Sequence, residues 1–196
     1  MRQTRNTNRM NAGRLLARVT IGGLFVGHGT QKLFGWFGGP GPEGTAQMMD
    51  KLELRPPQRH ALAAGISETA GGALLALGAL TPVASALLSG TMFTAIRKVH
   101  FAKGLWNTGG GYEYNLTLIA LLAALVDGGP GSPSVDRALG IDRTGSGWAL
   151  ASLAAGAVGS QLAIEAGKLQ QQPAQERPAP EAQNGRAEEA AVRAAA

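Results

Sequence analysis

Between Ala61 and Ile96 the chain carries one charged side chain, Glu68. A carboxylate in so apolar a run is either paired or positioned to exchange protons. At membrane depth an ionisable group costs roughly 2.5–3.5 kcal/mol on insertion scales, and such groups usually face a protein interior with a partner. Candidate partners stand at helical spacing elsewhere. His28 and Lys32 are four apart and share one helix face, with Gln31 three from His28. Arg97 and His100 are three apart and share another. Lys32, Arg97 and His100 are therefore the expected neighbours of Glu68, and Glu113 faces whichever cations remain. These seven residues, His28, Gln31, Lys32, Glu68, Arg97, His100 and Glu113, form the candidate polar pocket.

Several chemistries fit this set to different degrees. A quinone or quinol site needs an apolar slot open to lipid, donors for two carbonyl oxygens and a proton-exchanging acid such as Glu68 or a histidine. The same residue types would also hold a lipid headgroup. A haem or metal on His28 and His100 is poorly supported, because neither has an i, i+4 partner or a carboxylate motif of the di-iron kind. No metal site is assigned. A Ser-His-Asp hydrolase lacks an evident nucleophile beside either histidine. A plainer alternative remains: buried ion pairs that only fix helix register, with Arg97 and Lys98 snorkelling to headgroups.

The elements that must carry these groups read as apolar helices. An apolar run of 18 or more residues with few charges reads as a membrane span. Leu15–Phe37 is the first, closed by the breakers Gly38-Gly39-Pro40-Gly41-Pro42. A loop with a short amphipathic helix around Met48–Leu54 follows. Ala61–Leu80 and Pro82–Ile96 form an antiparallel hairpin across Thr81. Tyr112–Val126 is a short fourth span, about 22 Å against a core of ~30 Å. A fifth apolar stretch, Trp148–Ile164, crosses the membrane, lies in its interface or docks on the bundle. In an up-down bundle His28 lies about 13 Å, and Glu68 about 10 Å, from one and the same surface. The polar groups thus gather in one leaflet, and the other half holds little beyond Arg18. Small residues repeat at four-residue spacing in the second span, Ala61, Gly65 and Thr69 on one stripe and Ser67 with Gly71 on another. Such stripes permit close backbone approach.

Composition narrows the classes further. The net charge of +5 is not a nucleic-acid signature here, because Arg2, Arg5, Arg9, Arg14 and Arg18 cluster just before the first apolar run. Basic residues in that position hold a segment end in the cytoplasm and attract anionic lipid. The absence of cysteine removes disulfides, thiolate metal sites and CxxC redox chemistry from this chain. The N-terminus reads as an uncleaved first helix, since no A-x-A pattern ends it and Lys32 interrupts it.

Three motifs carry a family likeness: Gly27-His28-Gly29-Thr30-Gln31-Lys32-Leu33, Ile66-Ser67-Glu68-Thr69-Ala70-Gly71-Gly72 and Gly111-Tyr112-Glu113-Tyr114-Asn115. Together they resemble the DoxX family over roughly Arg14–Asp127. The resemblance implies an all-α, multi-pass, up-down four-helix bundle in a bacterial plasma membrane, related to a subunit of thiosulfate:quinone oxidoreductases. It implies, at most, an oxidoreductase subunit acting with membrane partner proteins, with quinone or quinol as the ligand and the lipid bilayer as surroundings. The other class of reading is a non-catalytic membrane scaffold, lipid binder or small-solute carrier. The expected organisation is a basic cytoplasmic segment 1–13, a DoxX-like domain 14–127, a loop 128–147, a fifth apolar helix 148–165 and a disordered tail 166–196.

The arginine cluster predicts a cytoplasmic N-terminus, against competition from Lys51, Arg55, Arg59, Arg97, Lys98 and Lys103 on the other side. Reporter fusions after Phe37 and after Leu80 test it. The expected result is an external signal from the first and a cytoplasmic signal from the second, and the reverse pattern inverts the protein.

Overall fold

The computed structural model describes residues 11–170, and every described regular element is helical. The outer parts of the basic N-terminal segment (1–10) and of the tail (171–196) lie outside the described residues. Seven α-helices follow in order: α1 Ala12–Phe34, α2 Gly41–Lys51, α3 Pro57–Leu77, α4 Thr81–Ala95, α5 Glu113–Asp127, α6 Val135–Ala138 and α7 Ser146–Leu169. A π-helical turn, Ile96–His100, prolongs α4.

Helix ends follow local chemistry. Gly35 closes α1 in the left-handed region at φ 71°, returning its N–H to Gln31. Pro57 opens α3, where its missing N–H costs nothing. Gly78 closes α3 at φ 64°, with the Gly78 and Ala79 amides donating to Leu75 and Leu74. The α3–α4 hairpin therefore turns at Gly78–Leu80, tighter than the expected break at Thr81-Pro82.

Packing rests on small residues. A Cβ added to Gly22 would meet the Gly72 carbonyl oxygen at 2.5 Å, and one on Gly65 would meet Leu33 at 2.6 Å. A Cβ on Gly29 would collide with Thr69. Gly22 and Gly29 are two turns apart on α1, as are Gly65 and Gly72 on α3, so the antiparallel backbones meet at two levels. The expected Gly65/Thr69 stripe is this face, while Gly71 belongs to the other side and touches Leu87 and Leu88 of α4. A single apolar core, including Ile21, Phe25, Leu75, Leu88, Met92, Leu118 and Leu122, joins α1, α3, α4 and α5.

α7 is a full member of this assembly. It packs on α4 and α5, and its buried face carries Ala149, Ser152, Gly156, Ser160 and Ile164. Gly156 sits against Gly90, and the Thr94 hydroxyl donates to Ser160 Oγ at 2.9 Å. It continues to Leu169, so residues 166–169 are helical and the tail starts later than expected. A smaller cluster of Ala46, Met49, Leu54, Ala61 and Ile164 pins α2 across the ends of α3 and α7. α2 begins at Gly41, earlier than the amphipathic stretch suggested, because Pro42 and Glu43 suit a first turn.

Among the described residues one helix, Ser146–Leu169, is long and apolar enough to cross a membrane by itself. The reasons the expected four spans miss that measure are local. α4 and α5 have 15 residues each, α1 holds Arg14, Arg18 and Lys32, and α3 is diluted by glycine, serine and threonine.

Because α1 and α3 touch at backbone level, Gly72→Leu forces them apart. The expected cost is about 1–3 kcal/mol or more, read as a lower melting temperature of the detergent-purified protein. Gly23→Ala, which meets nothing within 4 Å, is expected to melt at or slightly above the wild-type temperature.

Candidate functional site

Register brings Lys32 of α1 onto Glu68 of α3. Lys32 Nζ donates to Glu68 Oε2 at 2.5 Å, and Glu68 is buried. Helical side chains lean toward their own N-terminus, so on antiparallel helices these two lean toward each other. Of the three expected partners of Glu68, Lys32 alone makes the bond.

The pair forms the polar end of a slot of about 190 Å³. Ile21, Leu24 and Phe25 of α1 form one wall, Leu118 of α5 the other, and Met92 of α4 lies at the back. His28, Asn115 and Tyr114 complete the polar side. Leu24, His28 and Tyr114 are exposed, so the mouth lies between α1 and α5 on the outer face. A cavity of about 150 Å³ accepts one benzene ring, which makes the slot of single-ring size. His28 Nδ1 donates to Gln31 Oε1 at 3.1 Å, leaving Nε2 free of a protein partner in this arrangement. Asn115, buried, has its amide nitrogen 3.3 Å from Met92 Sδ, so a soft acceptor holds a group able to make a stronger bond.

The remaining expected residues lie elsewhere. Arg97 hydrogen-bonds Gln161 of α7, which itself donates to Glu165 at 2.7 Å. His100 Nδ1 donates to the Gly110 carbonyl at 2.7 Å. Glu113 accepts from the Asn107 amide at 3.0 Å and braces the α4–α5 loop. Arg97 and His100 both lie in the π turn that ends α4, and each is held there by its own partner. Sequence reasoning left Met92, Tyr114 and Asn115 off the site, although two of them sit in the third motif quoted above.

The opposite end holds a second polar centre that spacing did not reveal. Arg18, fully buried, donates to the carbonyls of Ala76 at 3.2 Å and Pro133 at 2.5 Å. Asp136, also buried, accepts from the Leu80 amide at 2.6 Å, the Thr81 amide at 2.9 Å and the Thr81 hydroxyl at 2.7 Å. The stretch expected to be plain loop thus folds α6 back to cap α4. Gly78 is obligatory there, because its φ is positive and a Cβ would strike the Arg18 guanidinium and Ser134.

Residues 13–101 match the model of the DoxX family. This match spans α1 through the π turn and supports membership of that family. The first two motifs fall inside the match, and the third, on α5, falls beyond it. No curated protein and no solved structure shows a match. The DoxX match and one helix of membrane-crossing length and composition, α7, support a membrane protein.

With side-chain exposures of 18% and 8%, the Lys32–Glu68 pair is sheltered enough for its loss to register. Lys32→Met strands a buried carboxylate and is expected to cost about 3–5 kcal/mol. Glu68→Gln keeps a hydrogen-bond acceptor for Lys32 and is expected to cost less, and the double variant to recover part of the Lys32→Met loss. Thermal melting of the four proteins in detergent checks the order.

Proposed function

We propose that this chain, with its DoxX domain, is a multi-pass membrane protein that receives the ring of a quinone or quinol in the α1–α5 slot. In this reading it is the accessory subunit of a quinone-linked membrane redox complex, and electrons are exchanged by the partner protein. The observation that carries the proposal is the slot itself: apolar walls, one polar end with a cation-paired carboxylate, and a mouth on an apolar outer face.

The outer surface supports the membrane setting. Leu16 and Leu24 of α1, Ile66 of α3, Val83 of α4, Leu116 of α5 and Val158 of α7 are each about half exposed or more. Arg18, Thr30, Glu68, Ser85, Ser89, Asn115, Ser152 and Ser160 of these helices are buried instead. A soluble monomer rarely exposes such continuous apolar surface. Exposed Phe34, Trp36, Phe37, Phe101, Trp106 and Tyr114 gather at the end that holds the slot, as aromatic residues do at a membrane–water interface. The helices too short to cross alone are accommodated by local thinning of the bilayer and by their neighbours.

Within the slot Asn115 is the donor for a ring carbonyl, His28 Nε2, an acceptor while Nδ1 donates to Gln31, takes the hydrogen bond of a quinol hydroxyl, and Glu68 is the group that can give or take a proton. The experiment is organic extraction and absorption of the detergent-purified protein, paired with Glu68→Gln. Extractable quinone from the wild type is expected. Glu68→Gln is expected to fold and reach the membrane but to lose quinone-linked respiration in the host, since an amide cannot exchange protons. Normal respiration with reduced stability would instead favour the non-catalytic scaffold, lipid-binding or carrier reading.

A further inference from the structure

Among the residues lining the two cavities, Lys32 alone belongs to both. The second cavity is a cleft of about 670 Å³ beneath α2, bounded by Leu33 at the end of α1 and by Pro57, Ala61 and Leu62 at the start of α3. Glu43, Gln47, Asp50 and Lys51 of α2 give it a charged wall, and all four are exposed. The cleft therefore meets water, the slot meets the apolar face, and the Lys32–Glu68 bond lies in the wall between them.

We propose that the cleft is the proton entrance of the slot, with Lys32 as the relay to Glu68. The inference rests on the membrane and quinone reading above and adds the route by which Glu68 is loaded. The Lys32 ammonium passes one proton to the Glu68 carboxylate, leaving a neutral amine beside a carboxylic acid. Solvent in the cleft then returns one proton to the amine. The net change is one proton moved from cleft solvent to Glu68, with no electron transferred.

Placement favours this route over the others. Thr45 on α2 donates to the Lys32 carbonyl at 3.5 Å and to the Gly41 carbonyl at 2.6 Å, which holds α2 against the relay. Asp50 is engaged with Arg55 at 3.2 Å, leaving Glu43 and Lys51 as the charged groups on that wall. From the slot side the titratable groups are His28, tied to Gln31, and the exposed Tyr114. α4 contributes only Met92. At the far end Arg18 and Asp136 are closed in by their own hydrogen bonds. They open no second path.

The test uses dicyclohexylcarbodiimide, an apolar reagent that attacks protonated carboxyls, on the full chain in right-side-out and inverted membrane vesicles. Mass spectrometry of the Glu68 peptide reads the labelling, with Glu68→Gln as background. Gln47→Cys, the sole thiol in a chain without cysteine, shows through an impermeant maleimide which side carries α2. Labelling of Glu68 is expected to rise several-fold as pH falls on that side and to ignore pH on the other. A bulky maleimide on Gln47→Cys is expected to plug the cleft and abolish the rise, while the unmodified variant behaves as wild type. Labelling that follows the opposite side, that persists unchanged with the plug, or that is absent at every pH overturns the route. Failure of the quinone reading shows separately, as decylubiquinone that does not protect Glu68 from the reagent.

Discussion

The backbone contact between α1 and α3 is the constraint on which the rest depends. Two glycines on each helix, spaced by two turns, let the chains approach until a carbonyl oxygen of one lies where a side chain of the other would be. In the multi-pass reading proposed above, lipid offers no hydrophobic force between helices, and close packing of this kind supplies the association. It also sets the register. Taking Gly29 opposite Gly65, Lys32 and Glu68 are offset along the axis by about 9 Å at 1.5 Å per residue. Their opposite lean closes that gap. A shift of one turn would leave the ammonium and carboxylate facing different neighbours.

The two polar centres of the bundle differ in kind. Around Asp136 every acceptor oxygen meets a donor from the α3–α4 turn, and Arg18 is held by two carbonyls. That end is a lock: it ties α1, the hairpin and the 128–145 segment together. The Lys32–Glu68 end is open on both sides, with one cavity toward water and one toward the outer face. The two buried polar centres thus differ in adjoining space, one closed by its own hydrogen bonds and the other bordered by two cavities.

α7 extends the bundle beyond the DoxX match. Its small-residue face repeats on α4 the device that joins α1 to α3, with Gly156 against Gly90 and a hydroxyl pair in place of the ion pair. It also gives Arg97 a partner in Gln161. A fifth helix of this kind therefore withdraws one cation from the set that the first four helices could direct at Glu68.

Much of this was legible in residue order. Apolar length and breaker clusters located the helices to within a few residues, because water and lipid impose those patterns on any helical chain of this composition. The isolation of Glu68 in an apolar run, and the four-residue spacing of His28 and Lys32, marked the face that would carry chemistry. Three things depended on the tertiary structure. Which cation reached Glu68 was decided by the axial offset of α1 against α3 and by the partners that Arg97 and His100 find in α7 and in the α4–α5 loop, and neither leaves a trace in spacing. The membership of Asn115, Tyr114 and Met92 in the slot followed from how α5 and α4 rotate, which is set by packing. The burial of Asp136 beneath the hairpin came from a short helix in a stretch with no periodic pattern, where the local sequence is silent and only the unpaired amides of α4 called for a carboxylate.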